Sequence, residues 1–177
     1  EDVVLETVLF NGVVPADVAH IVRSMPLAQR RQLAADFVTS IREGTDGEFW
    51  IGTYGGGLNR FDRQSESFRQ FQHETDNPNS LNDNRVMSLQ LDHRGILWIG
   101  TFGGGLNRFD PQTETFTHYT HDPDDPRSLS RNGVTTILDD SAGNLWVGTY
   151  RGGLNRMRAG ASGFDRFRRD SEDPSGL

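Results

Sequence analysis

The sequence predicts an all-β chain of β-propeller blades: three four-stranded antiparallel units forming an incomplete propeller, with a short helical N-terminal segment. Three observations predict it. The stretch GILWIGTFGGGLNRFD at 95–110 recurs as GEFWIGTYGGGLNRFD at 47–62 and as GNLWVGTYRGGLNRMR at 143–158, and Trp50, Trp98 and Trp146 set a period of 48 residues. A fixed period of roughly 20–50 residues marks one supersecondary unit copied along a chain. Within each period, four short segments alternate with glycine-rich or polar turns, the spacing of a meandering sheet. Finally, 20 glycines beside a hydrophobic fraction of 34% suit short strands and tight turns better than a helical bundle.

Residues 1–37 do not follow the repeat. VVLETVLF at 3–10 reads equally as strand or helix. Pro15 and Asp17 suit a first helical turn, and Val18, Ile21, Val22 and Met25 share one helical face. Pro26 ends that helix and opens a second, in which Leu33 and Phe37 stand four apart. The expectation is a helical hairpin or a cap on the array. Leu33 lies 48 residues before Leu81, which leaves open a start of the repeat there. PADVAHIVRSMPLAQRRQL resembles the helical repeats at the N-termini of some magnesium transporters and in flagellar switch proteins. The plainer alternative is a cap or an upstream linker helix.

The blades are placed at 38–85, 86–133 and 134–177. Each begins with an apolar run (38–43, 86–92, 134–140) and turns at Gly47, Gly95 or Gly143, where a tight hairpin demands positive φ. The second strand is FWIGT, LWIGT or LWVGT, followed by a glycine run containing Gly56, Gly104 or Gly152. The third is GLNRFD, GLNRFD or GLNRMR, and the fourth spans 68–73, 116–121 or 164–169. Loops rich in Pro, Asp and Ser at 75–84, 122–132 and 170–177 carry the chain to the next unit, with Pro78, Pro126 and Pro174 and Leu81, Leu129 and Leu177 holding the period.

Several function classes fall away. A net charge of −7 leaves no electrostatic footprint for nucleic acid. No apolar run approaches the roughly 20 residues of a membrane helix. The absence of cysteine excludes disulfides, Cys-based zinc sites and thiol catalysis. A start at Glu1 without a signal-peptide pattern reads as a mature form or an excised piece. Three blades do not close a ring that typically needs about 4–8, and the sequence stops in an inter-blade loop, so a fragment of a longer protein is expected, with ring completion in a homodimer as the other arrangement.

Taken together, LWIGT-x-GGGLNRFDP, T-x-x-F-x-x-Y and DP-x-DP-x-SLS-x-N-x-V-x-x-I resemble the two-component regulator propeller repeat over residues 38–177. Kelch repeats place their glycines before the tryptophan, and the WD dipeptide is missing. The departures are local: Arg151 for a glycine, Met157-Arg158 for Phe-Asp, and no SLS-x-N lead into the first blade. The resemblance implies the extracytoplasmic, periplasmic sensor region of a bacterial signalling receptor. Its output module, a histidine kinase or a diguanylate cyclase, would lie outside this sequence, and the segment itself would be non-catalytic and without a cofactor.

Features present in every copy read as scaffold. Trp50, Trp98 and Trp146 fill the wedge between blades, and Asn59, Asn107 and Asn155 act as turn-stabilising amides beside Arg60, Arg108 and Arg156. The glycine run precedes a strand, so it is no phosphate cradle. Asp122, Asp124 and Asp125 lack the spaced ligands of a calcium loop. On a regular strand His118 and His121 point to opposite faces, and no metal site is read. The symmetry breaks Arg151, Arg158 and His93 form no recognisable reaction set. Specificity resides in loops on a rigid scaffold, which nominates Tyr54, Phe102, Tyr150 and Arg151 as ligand-binding residues for a small molecule or glycan. A propeller-type polysaccharide lyase or hydrolase and a purely structural protein-interaction propeller remain the alternatives.

Overall fold

The computed structural model describes residues 37–168, which form three four-stranded antiparallel sheets. The first holds β1 (Phe37–Glu43), β2 (Phe49–Tyr54), β3 (Gly57–Asp62) and β4 (Ser67–Phe71); the second holds β5 (Val86–Leu91), β6 (Leu97–Thr101), β7 (Leu106–Asp110) and β8 (Thr115–Tyr119). The third holds β9 (Val134–Asp139), β10 (Leu145–Thr149), β11 (Gly153–Met157) and β12 (Phe164–Phe167). Each sheet is a meander in chain order, and no helix occurs among the described residues. The N-terminal hairpin or cap up to residue 36, the start at Leu33 and the last loop at 170–177 lie outside them, but Phe37, expected on the second helix, instead opens β1, where pairing with Tyr54 holds it in the sheet.

The fourth strands stop short of the sequence expectation, at Phe71, Tyr119 and Phe167. The reason lies in the inter-blade loop. The backbone N–H of His73 donates to Asn84 Oδ1 and that of His121 to Asn132 Oδ1, both at 2.6 Å. A side chain ends the ladder there by capturing the next donor. The rings of the same two histidines bond the carbonyls of Leu81 and Leu129, and Ser80 Oγ and Ser128 Oγ brace the turns before them. The loop is therefore a built element with a fully buried leucine plug, Leu81 or Leu129.

Blades meet through β1, β5 and β9, the innermost strands. One core cluster joins Trp50 and Leu58 of the first blade to Leu89, Leu97, Ile99 and Phe109 of the second. Another joins Trp98 and Leu106 to Ile137, Leu145, Val147 and Met157. The glycine of each WIGT strand has a seam-specific reason, whereas a Cβ on Gly148 of WVGT would meet Thr136 of its own blade at 2.5 Å. A Cβ on Gly52 would stand 2.5 Å from Val86 Cγ1, and one on Gly100 would stand 2.6 Å from Val134 Cγ1. Only hydrogen fits between a blade and the valine of the next. Each such valine is fully buried, which contributes about 1.5–3 kcal/mol.

Every tryptophan has a carboxylate for its indole N–H. Trp98 donates to Asp92 Oδ2 at 3.1 Å and Trp146 to Asp140 Oδ2 at 2.8 Å. The same carboxylates accept backbone N–H bonds within the first hairpin turn, from Ile96 and from Asn144. Blade 1 has Gly44 at that position, and Glu48 reaches back instead: Trp50 Nε1 donates to Glu48 Oε1 at 3.1 Å, and Asp46 N to Glu48 Oε2 at 3.0 Å. A Cβ on Gly44 would collide with that carboxylate. The exchange conserves the interaction while moving its source by four residues.

Candidate functional site

The tips of the β2–β3, β6–β7 and β10–β11 hairpins lie on the same face as the inter-blade loops, because β4 ends beside the start of β3 (Leu58↔Phe71). Tyr54, Phe102 and Tyr150 occupy these tips and stay exposed by 43%, 40% and 55%. Each is pinned through its backbone. Tyr54 bridges Arg85, Phe102 N donates to Arg85 O at 2.9 Å, and Tyr150 N donates to Gly133 O at 2.7 Å. The rings of Tyr54 and Phe102 meet edge to face with centroids 6.1 Å apart. The result is a row of aromatic rings at one-blade intervals, fixed in backbone and open to solvent.

What stands opposite each ring differs. The equivalent residues are Phe37, Arg85 and Gly133. Phe37 pairs with Tyr54 across β1 and β2 and is itself exposed. The Arg85 guanidinium lies over the Phe102 ring at 5.0 Å and is clamped by Asp83, with Nε to Oδ1 at 3.0 Å and Nη2 to Oδ2 at 2.8 Å. Burial alone would raise the Asp83 pKa, but its bonds from Arg85 outweigh that and hold it below the usual carboxylate range. Gly133 leaves the Tyr150 ring uncovered on that side, and Arg151 stacks on it at 5.4 Å. Sequence reasoning nominated the three rings and Arg151 but missed Phe37, Asp83, Arg85 and Gly133. A comparison at the 48-residue period outside the glycine motif is the signal that finds them.

The repeated scaffold residues sit elsewhere. Asn59, Asn107 and Asn155, expected as turn-stabilising amides, lie within β3, β7 and β11, and the latter two clamp the incoming loop. Asn107 Oδ1 accepts from Asn82 N and Asn155 Oδ1 from Ser130 N, both at 2.9 Å. Gly104 and Gly152 pass directly under the loop, where a Cβ would meet Asn82 or Ser130 and Arg131; Gly56 O accepts Gln70 Nε2. Trp50, Trp98 and Trp146 lie in the blades' packing faces, with Arg60 and Arg156 stacked on the first and last at 5.7 and 5.4 Å.

The other polar clusters are absorbed locally. Asp122 and Asp125 accept N–H bonds from Asp124 and Arg127 in tight turns, and among the described residues no group of His, Cys, Asp and Glu could hold a metal ion. A cleft of about 400 Å³ on the outer rim, lined by His118, Asp125 and Arg127, is crossed by the loop's own bonds, including Phe164 N to Arg127 O at 2.7 Å. Another of about 450 Å³ lies on the opposite face, where His93 pairs with Asp139 at 3.3 Å across blades 2 and 3. Arg158 is also on that face, paired with Asp165 at 2.9 Å. Neither cleft contains the exposed rings.

Comparison with known proteins places the architecture. Residues 32–55, 80–103 and 128–151 match the family model described as two component regulator propeller, and each matched segment ends at a tip ring and the residue after it. No curated protein matches the chain. Among solved structures, the extracellular domain of a hybrid two component system from B. thetaiotaomicron is similar, with a TM-score of 0.68 and 28% identity over 75% of this chain and 18% of that one. Another such domain from the same organism gives 0.60 and 26% over 75% and 19%. Virginiamycin B lyase from Staphylococcus aureus gives 0.56 at 15% identity over 76% and 42%, a likeness of fold alone. The chain spans less than a fifth of these two extracellular domains.

Proposed function

The chain carries two component regulator propeller repeats, and from that premise we propose that it is a non-catalytic, ligand-sensing propeller segment of a bacterial signal-transduction receptor. The observation that carries this reading is the aromatic row Tyr54, Phe102 and Tyr150. Rings fixed by backbone bonds and left 40–55% exposed on one face lie outside the two inter-blade core clusters and make their ring contacts with one another and with neighbouring guanidiniums. An exposed apolar stripe rimmed by polar groups is how a rigid scaffold takes a ligand with flat faces and polar edges, a small molecule or a glycan. The similar hybrid two component domains are extracellular, which supports an extracytoplasmic, periplasmic location. Further blades of the parent protein and an output module, histidine kinase or diguanylate cyclase, complete the reading. Ligand bound at the tips acts by favouring one packing of the blades over another.

The test is a thermal-shift screen of small molecules and oligosaccharides against the chain and a Tyr54→Ala/Phe102→Ala/Tyr150→Ala variant. Truncating exposed rings should cost within about 0.5 kcal/mol each. A ligand at 100 times its Kd should stabilise the native chain by about 2.7 kcal/mol, and the variant should lose that gain. Equal stabilisation of both proteins by every hit would move the site off this face. Recovery of the ligand chemically unchanged is the expected result for a sensor; turnover would favour a lyase or hydrolase.

A further inference from the structure

Blade 3 breaks the repeat at three neighbouring positions on the tip face. Arg131 stands where blade 2 has Asp83, Gly133 where it has Arg85, and Arg151 where it has Gly103. In blade 2 the charges close on themselves: Asp83 and Arg85 form a two-point ion pair lying across Gly103, with the guanidinium covering Phe102. In blade 3 the carboxylate has gone and two guanidiniums have arrived. Among the described residues neither Arg131 nor Arg151 takes part in an ion pair. Their positions are set by the scaffold. Arg131 lies along Gly152, with Cγ 2.8 Å from where a Cβ there would stand, and Arg151 follows Tyr150 and stacks on its ring at 5.4 Å. Arg151 also adopts φ 57°, which a residue with a side chain rarely takes. The equivalent of the covering Arg85 is Gly133, so Tyr150 is the most open of the three rings.

We propose that the blade 3 tip is an anion subsite in which Arg131 and Arg151 bind the carboxylate or sulfate of an acidic oligosaccharide whose ring lies on Tyr150. This rests on the reading that the tip face binds ligand, and it adds the charge of that ligand. Guanidinium forks suit planar or tetrahedral oxyanions, and charge-assisted bonds are the strong ones. Three rings at one-blade spacing suit a ligand made of repeated ring units. The paired Asp83–Arg85 of blade 2 faces a neutral part of the same ligand, so the row has a polarity, with the acidic unit at blade 3.

Isothermal titration calorimetry on the chain tests this with three galactose-based probes: an oligogalacturonate carrying carboxylates, a carrageenan oligosaccharide carrying sulfates, and a neutral oligogalactoside of matched length. The expected result is that at least one acidic probe binds tenfold or more tighter than the neutral one, with affinity falling as ionic strength rises. Which acidic probe wins identifies the anion. Arg131→Asp and Arg151→Gly restore the residues of blade 2; each should weaken the acidic probe about tenfold and weaken the neutral probe less. Equal binding of acidic and neutral probes, or acidic binding unaltered in the double variant, overturns the subsite. If the Tyr150→Ala variant still loses the neutral probe, the ring row survives that outcome. No binding of any probe also overturns the subsite, and the ring row is then judged by the thermal-shift screen alone.

Discussion

Single residues decide how each blade closes on its own tryptophan. Asp92 is buried and takes bonds from Ile96 N, Arg94 and Trp98 Nε1; burial alone would raise its pKa, and those bonds lower it. Glu48 does the same work for Trp50 from another position. Glu48→Ala should therefore destabilise blade 1 by about 1–3 kcal/mol, since it leaves the indole N–H unpaired, whereas Glu48→Ala with Gly44→Asp should restore the loss; chemical denaturation reads both. The Asp140 pKa is lowered to about 2, chiefly by the Asn144 side chain and then by Trp146. A lowered folded-state value means the stabilisation is present above the ordinary 3.8 and is lost as pH falls from there toward about 2. The Tm of the native chain should drop over that window, and Asp140→Asn should flatten the drop. None of this was legible in the sequence. Asp92 and Asp140 share the period, but Gly44 breaks the column, and a compensating glutamate four residues on looks like ordinary turn polarity.

At the scale of the element, the strands were legible because each glycine, aromatic and turn recurs at the same offset. The close approach of neighbouring blades was not, since a glycine in WIGT carries no mark of the valine 34 residues later that needs its hydrogen. Gly52→Ala should cost about 1–3 kcal/mol through overpacking against Val86. Val86→Ala should cost a comparable amount through lost burial. The pair together should cost less than the sum, a coupling that a double-mutant cycle measures. The tip rings were legible for the opposite reason: they are large apolar residues beside a glycine run, where no core demands them. Their partners Phe37, Arg85 and Gly133 were hidden because three different side chains share one position, and only the sheet register brings them opposite the rings.

Across the whole molecule, the seams differ in chemistry. Arg69 of blade 1 forms a two-point ion pair with Glu114 of blade 2. The corresponding residues of the next seam are Thr117 and Ser162, and His93 Nδ1 lies 3.3 Å from Asp139 Oδ2 there instead. Beyond the second seam, Leu138 is 58% exposed on β9, and Trp146 is less covered than the other two tryptophans. An apolar blade face of this kind favours self-association, so light scattering should report a mass that rises with concentration, and Leu138→Lys should reduce that rise. The unequal seams also bear on how near-copies find their places. Tandem units this alike are prone to dock out of turn. A first blade set against the third would present Arg69 to Ser162, and no ion pair would form. The Arg69–Glu114 pair thus acts as a key to docking order, and removing Glu114 should increase misassembled product on refolding more than it lowers equilibrium stability.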